Sequence, residues 1–155
     1  MSTRGTIIIN NEDRKRVIAI YKHCDCYIHR GGLGATIFEF MKDRILVNGY
    51  GMGRDDRKIQ VNGLGDLGAQ LVTELKGNPE SVGNTYIMEE GEEIHGDVEY
   101  IYYITPVDAE PCPMCGHGKG TNWEIKIIRH DACIFTGTPE EAIYHFGRNP
   151  EKPLY

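Results

Sequence analysis

The stretch Tyr21-Lys22-His23-Cys24-Asp25-Cys26-Tyr27-Ile28-His29-Arg30-Gly31-Gly32-Leu33-Gly34 changes pattern in a way that sets the fold. Its first half alternates in steps of two, and its second half is a glycine-rich turn. If Tyr21–His29 is extended, His23, Asp25, Tyr27 and His29 share one side, and Cys24 and Cys26 share the other. The turn through Gly31, Gly32 and Gly34 to Thr36 then delivers the chain into a helix.

On the N-terminal side, the apolar runs Thr6–Asn10 and Arg16–His23 flank the polar turn Asn11-Glu12-Asp13-Arg14-Lys15 and read as a hairpin. On the C-terminal side, Leu33, Ile37, Phe40 and Met41 fall at helical spacing and predict a helix over about Ala35–Arg44, stopped at Asn48-Gly49. Residues 49–63 read as a polar connection with a short strand near Lys58–Val61. The stripe Leu64, Leu67, Leu71 and Leu75 predicts a second helix over about Asp66–Lys76. Further strands are expected at Thr85–Met88, Val98–Thr105, Trp123–Arg129 and Ala132–Thr136, the last two joined by a tight turn at His130-Asp131. Thr138, Pro139 and Glu141 form a capping-box signature for a last helix with Ala142, Ile143 and Phe146 inward. Trp123 and the tyrosines at 100, 102 and 103 are read as packing residues, and Cys133 as a small buried hydrophobe. Strands that come in hairpins, with helices between the groups, predict an α+β fold. Its form is an antiparallel sheet with about three helices packed on one face.

Residues 1–155 read as one domain, with a Cys-x-x-Cys hairpin loop at about 106–121. A chain of this length buries roughly 70% of its unfolded surface and folds without staples. Seventeen basic against 23 acidic residues give a net charge of −6, which argues against general nucleic-acid binding. The sequence has no apolar run of membrane-spanning length and no export signal, so the expected compartment is cytoplasmic and the five cysteines are expected to be thiols or metal ligands.

Two candidate sites emerge. At the first, the amides and dipole of a helix N-terminus attract anions, and glycines let a phosphate approach the backbone. His23, Asp25, Tyr27, His29, Arg30, Gly31, Gly32, Gly34 and Thr36 are its candidate ligand-binding residues. Asn62, Gly63 and Gly65 offer a second helix start, although Asp66 would repel an anion beside it. Gly32-Leu33-Gly34 and Gly63-Leu64-Gly65 echo each other, and two such starts facing one cleft would suit a nucleotide-like ligand with two phosphates. If the chain is instead an enzyme, His23 as acid or base with Asp25 orienting it makes a small hydrolase or nuclease. The bland alternative is a tight turn with a structural polar network.

The second site is Pro111-Cys112-Pro113-Met114-Cys115-Gly116, half of a tetrahedral zinc site, because such a turn points both thiolates inward. Cys24 and Cys26 can complete it if both lie on one face of a strand, giving a structural zinc. Free thiols in a hairpin loop are the alternative. The acidic run Glu89-Glu90-Gly91-Glu92-Glu93 reads as a solvated loop, and Arg54, Arg57 and Lys58 as a solvated loop or a lid.

Several segments in order carry a resemblance: Ser2-Thr3-Arg4-Gly5; Tyr21-x-His23-x-Asp25-x-Tyr27 with Gly32-Leu33-Gly34; and Asn62-Gly63-Leu64-Gly65 with Ala69-Gln70-Leu71-Val72. Val98-Glu99-Tyr100-x-Tyr102 and Thr136-Gly137-Thr138-Pro139-Glu140-Glu141 continue it. Together they resemble a family of small uncharacterised proteins common in phages and scattered through bacteria and fungi. The resemblance transfers no activity and no catalytic residue. It implies a phage-type context, in which small proteins act against host defences by sequestering a ligand or by inhibiting a host protein. Cys24, Cys26 and the Pro111–Gly120 loop depart from that family's pattern together, as a shared metal site would explain. Metal analysis of the purified protein is expected to find one equivalent of zinc, lost in Cys112→Ser; a metal-free protein contradicts the expectation.

Overall fold

The first hairpin forms because Asn11 closes its turn. The Asn11 side-chain oxygen accepts the amides of Asp13 and Lys15, each at 3.0 Å, while Arg14 takes a left-handed φ of 61°. The flanking strands β1 (Gly5–Asn10) and β2 (Arg16–Lys22) pair antiparallel with Ile7 opposite Ile20. The computed structural model describes residues 2–47, 58–78, 80, 83–107, 110–111, 118–119 and 122–147. After the hairpin come α1 (Leu33–Lys42), β3 (Arg44–Val47), β4 (Ile59–Asn62), α2 (Gly63–Lys76) and β5 (Thr85–Ile87). The second half supplies β6 (Tyr100–Val107), β7 (Glu110–Pro111), β8 (Gly118–Lys119), β9 (Asn122–Arg129), β10 (Ala132–Gly137) and α3 (Pro139–Gly147).

The main sheet has six strands in the order β10-β9-β6-β1-β2-β5, and the described helices bury their stripes against one face of it. This is the expected α+β architecture. Ile7, Ile9, Ile20, Tyr100, Tyr102, Ile104, Trp123, Ile125 and Ile127 point to that face and meet Leu33, Ile37, Phe38, Met41, Leu67, Leu71 and Ala142. α3 packs beside α1 and over β9 and β10, while α2 lies over β2 and β5. The opposite face carries a smaller cluster of Ile8, Ala19 and Met88, flanked by Tyr21, Ile94, Ile101 and Tyr103.

The structure corrects several local expectations. β1 and β6 run parallel, with Gly5 opposite Tyr100 and Ile9 opposite Ile104, so the sheet is not wholly antiparallel. The chain between them is long enough for the crossover that a parallel pair requires. Arg44–Val47 is not a helix tail and stop. It forms β3, which pairs in parallel with β4 in a second sheet. α1 and α2 each begin earlier than the expected Ala35 and Asp66, at Leu33 and Gly63. Cys133 is exposed, because a register shift between Cys133 and Phe135 on β10 breaks the alternation that would turn it inward.

Other local signals hold. His130 and Asp131 both take positive φ, 46° and 65°, as a two-residue hairpin requires. β7 and β8 form the base of the expected loop hairpin. Trp123 is buried and donates its indole N–H to the Arg44 carbonyl at 3.1 Å, tying β9 to the start of β3. The capping box on α3 is closed in both directions: Glu141 N–H donates to Thr138 Oγ1 at 3.1 Å, and Thr138 N–H donates to Glu141 Oε2 at 3.0 Å. Thr138→Ala is expected to cost about 1 kcal/mol, read as a fall in Tm of ~2–4 °C; an unchanged Tm contradicts the capping role.

Candidate functional site

β2 ends at Lys22, and residues 23–32 fold as a loop rather than as the expected extended strand. Asp25 takes φ 58°, which breaks the alternation of the polar segment. The loop turns its carbonyls toward the start of α1. Leu33 N–H donates to Asp25 O at 2.8 Å, Gly34 N–H to Tyr27 O at 3.0 Å, and Gly32 N–H to His29 O at 2.9 Å. Thr36 Oγ1 donates to Gly32 O at 3.1 Å. Backbone amides that the anion reading assigns to a phosphate are therefore satisfied by the loop itself.

The glycines have a matching explanation. A Cβ on Gly32 would lie 2.3 Å from Tyr27 O, and one on Gly34 would lie 2.7 Å from Ile28 Cα. Both positions are closed by the chain's own backbone, so the absence of a side chain lets loop and helix touch. Beneath them, the buried Tyr102 hydroxyl donates to Cys26 O at 2.6 Å. Burial raises the Tyr102 pKa, so its hydroxyl stays a donor.

The second helix start is closed differently. Gly63 and Gly65 have open space around them, but the Asp66 carboxylate accepts the Asn62 amide at 2.8 Å and Gln70 Nε2 at 3.2 Å. The chain supplies its own anion there. The first start rests on Tyr102 of the main sheet and the second on the small β3–β4 sheet.

The remaining residues of the segment separate. The His23 ring meets Tyr21, with Nδ1 at 3.2 Å from the hydroxyl, rather than Asp25. Tyr21 also stacks on His95, their ring centroids 4.7 Å apart. Arg4 pairs with Asp97, not with His23 or Asp25. Cys24 and Cys26 do not share a strand face. Cys24 Sγ donates to Asn84 Oδ1 at 3.2 Å, an oxygen that also accepts the buried Lys22 ammonium at 3.0 Å. Cys26 is fully buried against Gly5 and donates to the carbonyls of Lys22 and Cys24, each at 3.4 Å. Cys112, Cys115, Arg54 and Arg57 lie outside the described residues, and among the described ones no three His, Cys, Asp or Glu side chains are grouped to hold a metal ion. Lys58 donates its ammonium to the Lys42 carbonyl.

His29 and Arg30 reach a different place. With Ile28 they edge a cleft of about 300 Å³ between this loop, α1 and α3. Its walls are Ala35, Phe38, Ile143 and Phe146, and Glu39 stands at its side, paired with Lys42 at 2.6 Å. Phe38 and Phe146 lie nearly parallel, 5.7 Å between centroids, and Tyr27 stacks on His29 at 4.5 Å. Of the sequence candidates, only His29 and Arg30 line this cleft. Phe38 was the legible signal for the rest, an apolar residue beside the stripe Leu33, Ile37, Phe40 and Met41. Ile143 and Phe146 read as core, and only packing of α3 beside α1 reveals their second role.

Compared with family models, with curated proteins and with solved structures, the chain matches none. Among the described residues no helix is long and apolar enough to cross a membrane.

Burial pushes the Cys26 thiol from 9.0 up to about 12. Below pH 9 the thiol is protonated whether the chain is folded or not. Between 9 and about 12 the unfolded chain loses a proton that the folded one keeps, so this group's contribution to stability falls across that window. At pH 8 a thiol-reactive disulfide is expected to label Cys24 and Cys133 but to reach Cys26 only on unfolding; rapid Cys26 labelling of the native protein contradicts its burial.

Proposed function

We propose that the chain is a small ligand-binding protein that sequesters a nucleotide-like anion in the cleft between the Ile28–Arg30 loop, α1 and α3. The observation that carries this reading is the pairing of an apolar, aromatic-walled cleft with two basic side chains at its edge. A planar base would rest against the half-buried Phe146 and Ile143, with Phe38 buried behind them, and a phosphate would reach His29 and Arg30. A cleft of about 300 Å³ stands at the lower end of small-molecule sites, which favours a mononucleotide over a larger ligand. The Glu39 carboxylate, offset by Lys42, is placed to accept a hydrogen bond from an exocyclic amine. In a phage-type setting, removal of such a nucleotide from solution would serve as counter-defence.

A panel of mono-, di- and cyclic nucleotides tests the reading by thermal shift. A mononucleotide is expected to raise Tm, with the shift lost in Arg30→Ala and reduced in Phe146→Ala. No shift from any nucleotide, or a shift indifferent to Arg30, contradicts it.

A further inference from the structure

β2 is seven residues long, but β5 pairs with only its last three, Ile20–Lys22. Met88 N–H adds one bond to Ala19 O at 2.9 Å, and the chain then turns into the acidic loop. Beside the uncovered half of β2 lies a groove of about 490 Å³, lined by Arg16–Ala19, Ile87, Met88 and Glu90–Glu93. Ile18 packs with the helix-side core, whereas Ala19 and Met88 belong to the opposite face, so the groove opens at the sheet edge itself. Val17 and Ile87 border it and are 49% and 69% exposed. A half-covered strand edge flanked by exposed aliphatics is a template for another strand.

Charge decides what occupies it. The Arg16 guanidinium donates to the main-chain carbonyls of Glu92 at 2.6 Å and Glu89 at 3.3 Å. It orders the loop through those carbonyls, and its charge, after the Glu89 amide and His95, helps to hold the Glu92 carboxylate below its usual range. The Glu92 carboxylate accepts the Glu89 amide and pairs with His95 at 3.3 Å. Among the described residues, Glu90 and Glu93 have no ionic or hydrogen-bonded partner, and both line the groove. A second copy of this chain would bring another acidic loop to the same place, and like charges oppose that pairing.

We propose that the open half of β2 is a strand-addition site for an extended, basic segment of a partner protein. The partner's main chain bonds to the β2 edge. One set of its alternating side chains is aliphatic and covers Val17, and its lysines or arginines face Glu90 and Glu93. The proposal is independent of the nucleotide-like ligand and its cleft.

Selection of a displayed random decapeptide library on the whole protein tests it. Enriched sequences are expected to lack proline and to alternate basic and aliphatic residues. The best of them, made synthetically, is expected to bind about tenfold more weakly to Glu90→Lys/Glu93→Lys, a doubly exposed variant whose fold is checked by circular dichroism. Methylating the amide nitrogens along one edge of that peptide abolishes binding, whereas methylating the other edge does not. No enrichment, enrichment of acidic or helical sequences, or binding indifferent to either change overturns the proposal. Concentration-dependent self-association lost in the same double variant also overturns it, since a second copy is then the occupant.

Discussion

The hydrogen bond from the Tyr102 hydroxyl to the Cys26 carbonyl is the constraint on which the surrounding structure turns. It joins the middle of the main sheet to a loop that has already left the sheet. Cys26, held there, sits against Gly5 with its thiol inside, and the carbonyls of Asp25, Tyr27 and His29 come to face the start of α1. A buried carbonyl left without its donor would carry the full cost of desolvation, about 1–3 kcal/mol, so the bond fixes the loop by penalty as much as by attraction. The close approaches of two glycines to the loop backbone follow from the same geometry. Gly32 and Gly34 are small because the loop backbone lies where their side chains would be.

This arrangement reassigns a motif. A glycine-rich turn before a helix invites a phosphate only where amides are left over, and here a preceding carbonyl takes each of three consecutive ones. The second helix start reaches the same end by another route, with the Asp66 carboxylate in the place an anion would take. What the loop exports is its far side, where His29 and Arg30 meet the aromatic residues of α1 and α3. The loop thus positions basic groups without offering its own backbone.

Much of the fold was legible locally. The Asn11 turn, the left-handed pair His130-Asp131 and the Thr138–Glu141 box are decided within a few residues, and each forms as its chemistry predicts. The polar segment misled because Tyr-x-His-x-Asp-x-Tyr has the period of a strand, while the left-handed Asp25 that ends the alternation leaves no mark on periodicity. The insertion of β6 beside β1, in parallel, depends on which strand neighbours which, and local pattern carries no such information. Cys133 was misplaced for a related reason: the register shift on β10 resets the phase of alternation between two otherwise regular runs. For the site, His29 and Arg30 were visible as basic residues in a turn, whereas the cleft beside them exists only once α3 lies against α1.

Amide-resolved NMR of the labelled protein during a titration with inorganic phosphate tests the central claim most directly. If the loop carbonyls hold the start of α1, the amides of Gly32, Leu33 and Gly34 exchange slowly with solvent and keep their resonances as phosphate is added. The same titration moves the side-chain signal of Arg30. Fast exchange of those three amides, together with their movement on phosphate addition, would contradict the account and return the anion to the helix start.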